Sequence, residues 1–116
     1  MRVIKINAQD RTIVEADEEA TLEQIQGYVG GWIENGGVFE NGDIIYVDEE
    51  GLLKQPEHFF TLEGFPHVIR AGNSYVVGTN SEGKSIDAQS SLQWFKDTVV
   101  FLTRQEAYMR AKRYGV

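Results

Sequence analysis

The sequence predicts a single α+β domain, residues 1–116, with a mostly antiparallel sheet and about three short helices. Three observations carry this expectation. Strand-like runs and helix-start signals alternate, giving a ββαββ opening. A chain of 116 residues with 41% hydrophobic and 11% aromatic side chains suits one domain with a core of its own. No stretch has the composition of a linker, a repeat or a low-complexity tract.

Taken in order, residues 3–6 (VIKI) read as a first strand, and Asn7-Ala8-Gln9-Asp10 has turn chemistry. Residues 12–15 read as a second strand, and a hairpin joins the two. Thr21 with Gln24 three residues on is a capping-box pattern opening a helix. Leu22, Ile25 and Val29 share one face of that helix, and Gly30-Gly31 ends it. Trp32-Ile33-Glu34 starts a strand in which Asn35-Gly36-Gly37 predicts a bulge. Asn41-Gly42 predicts a two-residue hairpin turn with positive φ at both residues, followed by a strand over 43–47. The ββαββ opening permits a β-grasp-like sheet.

Residues 52–69 contain Pro56 and Pro66, which argue against a long regular element. Phe59, Phe60, Leu62 and Phe65 there are expected to cover the core as an irregular segment or one helical turn. Residues 74–77 read as a strand, and 79–84 as a polar loop. Ser90 with Gln93, and Thr103 with Glu106, are two further capping boxes, flanking an apolar strand over 99–102.

The formal charge is −7, unevenly spread. Between Glu15 and Glu57 there are twelve acidic residues against Lys54 alone, whereas the last segment carries Arg104, Arg110, Lys112 and Arg113. An acidic body argues against nucleic-acid binding, which needs a basic footprint. The basic tail fits a final helix whose cations complement its dipole. There is no cysteine, so disulfides, thiolate metal sites and a cysteine nucleophile are excluded. The polar start MRVIKINAQD and the short apolar runs predict neither a signal peptide nor a membrane span. A cytoplasmic protein is expected.

No phosphate loop, nucleophile elbow, HExxH or dinucleotide fingerprint occurs. The stretch VDEEGLLKQPEHFF is the one concentration of chemistry-bearing residues. Asp48, Glu49 and Glu50 with Asp43 could be read as a hard-metal site, or Glu57 and His58 as an acid–base pair. Calcium requires alternating oxygen ligands and a closing glutamate, neither of which is present. Zinc requires several converging ligands, and the chain has only His58 and His67. An exposed acidic turn is therefore expected, with no metal and no cofactor. Glu49 and Glu50 should face water with Asp48, while Phe59 or Phe60 turns inward. Burial in the core is the favoured fate of Trp32 and Trp94, with an exposed partner-binding role as the alternative.

The assembly TLEQIQGYVGGWIE, NGDIIYVDEEGLLK and AGNSYVVG resembles small uncharacterised proteins of bacteria, phages and other mobile elements, a family known only as a domain of unknown function. The resemblance spans residues 3–78, and LLKQPEHFF departs from the form seen in phage members. It implies an accessory role in a mobile element or its host, and no reaction or ligand.

Two functional expectations follow. The first is a non-enzymatic binding or regulatory module with a protein partner, candidate contacts being Trp32, Glu34, Asp48, Glu49, Glu50 and His58. The second is a small-ligand protein or enzyme with a site near Trp32, Tyr46 and His58.

Overall fold

A computed structural model describes residues 1–114, with side chains for all of these outside residues 65–67. β1 (Arg2–Asn7) and β2 (Thr12–Asp17) form the expected hairpin, and α1 (Leu22–Val29) follows. β3 (Ile33–Val38) and β4 (Ile44–Asp48) form a second hairpin. A 3-10 turn at Gly51–Leu53 leads into β5 (His58–Leu62) and β6 (Phe65–Ala71). β7 (Asn73–Thr79), β8 (Ser85–Ile86), α2 (Leu92–Thr98), β9 (Val99–Thr103) and α3 (Arg104–Tyr114) complete the order.

The class is α+β and the pairings are antiparallel, but there are two sheets. The larger runs β2-β1-β7-β4-β3, with β8 also on β7, and the smaller runs β6-β5-β9. β7 lies between β1 and β4, antiparallel to both. The β1–β7 pair at the centre is antiparallel, where a β-grasp sheet has a parallel central pair, so the arrangement is not a β-grasp.

The strands alternate between two cores. Val3, Tyr75 and Val77 pack with Ile25 and Val29 of α1 on one face of the large sheet. Ile4, Ile6, Ile45 and Val76 point the other way, onto Phe60 and Leu62 of β5 and Phe95 of α2. The far face of β5 carries Phe59, which packs with Ala71, Leu102 and Ala107 beneath α3. The layers are thus α1, large sheet, small sheet, α3. Central strands covered on both faces lose the polar alternation of a half-exposed strand. That explains why β7 is buried from Ser74 to Gly78.

Local chemistry sets the element ends. Thr21 and Gln24 form the predicted reciprocal capping box, and Gly30 caps α1 with φ +93°. Leu22 departs from expectation and is exposed, while Ile25 and Val29 are buried. Thr103 Oγ1 accepts the Glu106 N–H at 3.2 Å while Glu106 Oε1 accepts the Thr103 N–H at 2.9 Å, as predicted for α3. The α2 cap is shifted by one residue. Ser91, not Ser90, accepts the Trp94 N–H, and Ser90 Oγ accepts from Asn41 Nδ2.

Three further expectations are corrected. The β3–β4 connection is wider than two residues: the Phe39 carbonyl accepts the Gly42 N–H, and the Phe39 N–H donates to the Asp43 carbonyl. Gly42 alone in this turn has positive φ, at +93°. This is a turn followed by a left-handed glycine, not a pair of left-handed residues. Residues 52–69, expected to be irregular, contain β5 and most of β6. Pro66 is tolerated there because β6 is an edge strand, which does not need every N–H paired. The two tryptophans, for which burial was favoured, lie at the surface: Trp32 is 69% and Trp94 39% exposed. Trp94 packs edge-on against Phe39 and Phe95.

Candidate binding site

The acidic run between Glu15 and Glu57 divides into structural and free carboxylates. Glu15 pairs with Arg2, and Asp17 with the Met1 amine. Glu18 accepts from Lys5 Nζ at 2.9 Å and from the Tyr75 hydroxyl at 2.7 Å. Those two hydrogen bonds, Lys5 first, hold its carboxyl below the usual range against the opposing effect of burial. Asp43 is fully buried, and its two oxygens accept the N–H groups of Gln89 and Ser90 at 2.7 and 2.8 Å. Weighed from sequence as a metal ligand, Asp43 instead ties the β3–β4 turn to the approach of α2.

Asp48 differs from the expected water-facing residue. It ends β4, its side chain is 8% exposed, and Oδ2 accepts from Lys54 Nζ at 2.5 Å. Oδ1 accepts the Glu50 N–H at 3.0 Å, and Lys54 Nζ also donates to the Gly30 carbonyl at 3.1 Å. Burial alone would raise the Asp48 pKa; the Lys54 ammonium and the Glu50 amide outweigh it and lower it. One lysine thereby clamps the acidic turn to the end of α1. Glu49 and Glu50 are exposed, as are Glu19, Glu23, Glu34, Glu40 and Glu57. These seven glutamates, not all twelve acids, are the charges open to a partner.

The structure gathers most of the sequence-derived candidates at one corner. The Glu49 N–H donates to the Trp32 carbonyl at 2.9 Å, which joins the two loops. Glu34, Asp48 and Glu49 line a cavity of about 260 Å³ between β3–β4 and β6. His58 is not among its lining residues. It opens β5 opposite Thr103, and its carbonyl accepts the Gly72 N–H at 3.0 Å. Tyr46 packs against the cluster beneath α1. Trp32, Tyr46 and His58 therefore sit on different elements and share none of the cavities described here. Among the described residues, no three His, Cys, Asp or Glu side chains gather to hold a metal. No helix there is long and apolar enough to cross a membrane.

A second cleft, of about 370 Å³, lies between α3 and the small sheet. Leu52, Phe59, Ile69, Ala107, Tyr108 and Ala111 line it, with Arg104 as its one charged lining residue. Leu52 and Ile69 line both cavities, so the apolar cleft and the acidic one are neighbours. Leu52 is 63% and Tyr108 65% exposed, and their chain neighbours Leu53 and Met109 are 81% and 59% exposed. Sequence reasoning missed this surface because an apolar residue in a helix or turn does not reveal which side it faces. It also missed Arg70, which lines the first cavity while being 8% exposed. The available signal was a lone arginine in the apolar run VIRAG.

A family model described as a domain of unknown function (DUF3846) matches residues 1–99. No curated protein and no solved structure matches the chain.

Proposed function

The chain belongs to the DUF3846 family, and from that premise we propose that it is a non-enzymatic binding module whose partner is a protein. The single observation behind this reading is the apolar cleft under α3, lined by Leu52 and Tyr108, both exposed, with exposed Leu53 next to Leu52 in the chain. Large side chains exposed together are costly on a free surface and are typical of interfaces. The occupant is an apolar segment of a partner with basic flanks. Leu52 joins the cleft to the wall bearing Glu34 and Glu49, neither of which has an ion-pair partner among the described residues. Four of the seven residues lining the cleft come from α3, beyond the residues the family model matches. The resemblance noted in the sequence suggests an accessory role in a mobile element or its host, and the polar start and absence of cysteine suggest the cytoplasm.

Photo-crosslinkers placed at positions 53, 108 and 82 test this reading. Glu82 lies in the exposed turn before β8, away from the cleft. One protein should be captured from host cells at 53 and 108 but not at 82. Tyr108→Glu should abolish capture without lowering the melting temperature, and added salt should slow association. Equal labelling at 82, or capture that survives Tyr108→Glu, would reject the cleft as the interface.

A further inference from the structure

Arg70 presents a charge that the fold does not neutralise. The side chain is 8% exposed, yet among the described residues no carboxylate pairs with it. Nε and Nη2 both donate to the Gly36 carbonyl, at 3.0 and 2.6 Å, and Nη1 reaches the Val68 carbonyl at 3.5 Å. Phe60 offers a ring face 6.0 Å from the guanidinium carbon. All of these partners are neutral. A guanidinium has five N–H donors, so one on each terminal nitrogen lacks an acceptor among the described residues. The strand opposite is shaped to admit it. A Cβ on Gly37 would lie 2.8 Å from Arg70 Nη2, and the register of β3 against β4 shifts here. The Gly-Gly bulge thus accommodates the arginine and gives it a carbonyl.

Holding a bulge by its carbonyl needs donors but no charge. Burying a charge without a counter-ion is unfavourable, and a carboxylate is the group whose geometry matches a guanidinium fork. The same 260 Å³ cavity is lined by Glu34 and Glu49, both exposed, and by Asp48, which Lys54 already neutralises. A plain anion entering it would meet those glutamates. A ligand bearing both a carboxylate and an ammonium would satisfy both. The volume lies below the roughly 300–1,000 Å³ of pockets for drug-sized molecules, which sets the size at that of an amino acid. We propose that the cavity between β3–β4 and β6 binds a small aminocarboxylate, with Arg70 taking the carboxylate and Glu34 or Glu49 the ammonium.

This goes beyond the protein-binding reading and uses a different cavity, although Leu52 and Ile69 wall both. The experiment is an NMR titration of the ¹⁵N-labelled protein with leucine, glycine, acetate and ethylamine. The amino acids should move the amides of Gly36 and Gly37 and the Arg70 Nε resonance at millimolar concentrations. Acetate and ethylamine should do so at least about tenfold more weakly. Arg70→Lys keeps the charge but loses the fork, and should weaken leucine binding roughly tenfold or more. Should that variant fail to fold, Glu34→Gln with Glu49→Gln alters only exposed side chains, and should weaken leucine binding while strengthening that of acetate. Tyr108→Glu should leave it intact, which separates this site from the apolar cleft. Acetate matching leucine would overturn the zwitterion, and no shift at these resonances by about 10 mM ligand would overturn the site.

Discussion

Gly42 carries a φ of +93°, and an ideal Cβ there would lie 2.7 Å from the Thr79 carbonyl oxygen. The Gly42 carbonyl accepts from both the N–H and the hydroxyl of Thr79, at 2.9 and 2.6 Å, so neither partner can retreat freely. Gly42→Val should therefore destabilise by roughly 2–3 kcal/mol or more in urea unfolding; an unchanged midpoint would contradict the packing described. The neighbourhood of Glu49 and Glu50 provides a contrast. Both are exposed, whereas Phe60 is fully buried and Phe59 8% exposed. Glu49→Ala and Glu50→Ala should each change stability by less than about 0.5 kcal/mol, and Phe60→Ala should cost roughly 3–5 kcal/mol. These fates were legible in the sequence because consecutive carboxylates resist burial and paired phenylalanines resist exposure. Asp48 was misread because its partner, Lys54, lies across a turn whose path the sequence does not reveal. The lone arginine in VIRAG marked Arg70 as unusual, but its partner was not legible, because its acceptor, Gly36, is distant in sequence and belongs to another strand.

Helix starts were readable wherever a capping residue stood alone, as Thr21 and Thr103 do. Ser90-Ser91 offered two frames, and the sequence pattern with Gln93 favoured the wrong one. In the structure α2 starts after Ser91, with Phe95 and Thr98 on its buried side. Ser91→Ala should cost about 1 kcal/mol, since it removes the acceptor of the Trp94 N–H. Ser90→Ala breaks only an exposed contact with Asn41 and should cost less than about 0.5 kcal/mol. Thermal unfolding of the two variants side by side distinguishes the frames. The strands of the small sheet were harder to see. β5 is buried along both faces, from Phe59 to Leu62, so it shows neither period-two alternation nor a helical stripe. The proline in β6 then counted against a strand, because nothing in the sequence told that this strand lies at an edge.

Across the whole molecule, stability should fall at both ends of the pH scale. Glu18 and Asp48 are held below their ordinary values of 4.5 and 3.8. The unfolded chain therefore takes up protons first on acidification. Their contribution is complete above about pH 4.5 and is lost as the pH drops through the folded values. Tyr28 is displaced upward from 10 to about 12, by burial first and then by nearby Asp10 and Glu18; Tyr75 is displaced upward by burial first and then by its hydrogen bond to Glu18. Their contribution is complete below pH 10 and fades as the pH rises through the folded values. Unfolding midpoints measured from pH 3 to 11 should form a plateau between these limits, and Glu18→Gln should flatten the acid side; a midpoint that kept rising below pH 4.5 would reverse the assigned sign. The central position of β7 has a consequence for synthesis. A ribosome delivers both opening hairpins, ending at Asp48, before β7 begins at Asn73. Until then β1 and β4 each present a bare hydrogen-bonding edge to solvent, and a half-made chain is open to pairing with its neighbours on the same message. A chain stopped after residue 72 should scatter light as an aggregate, and a synthetic peptide of residues 73–79, added during translation, should keep it in solution.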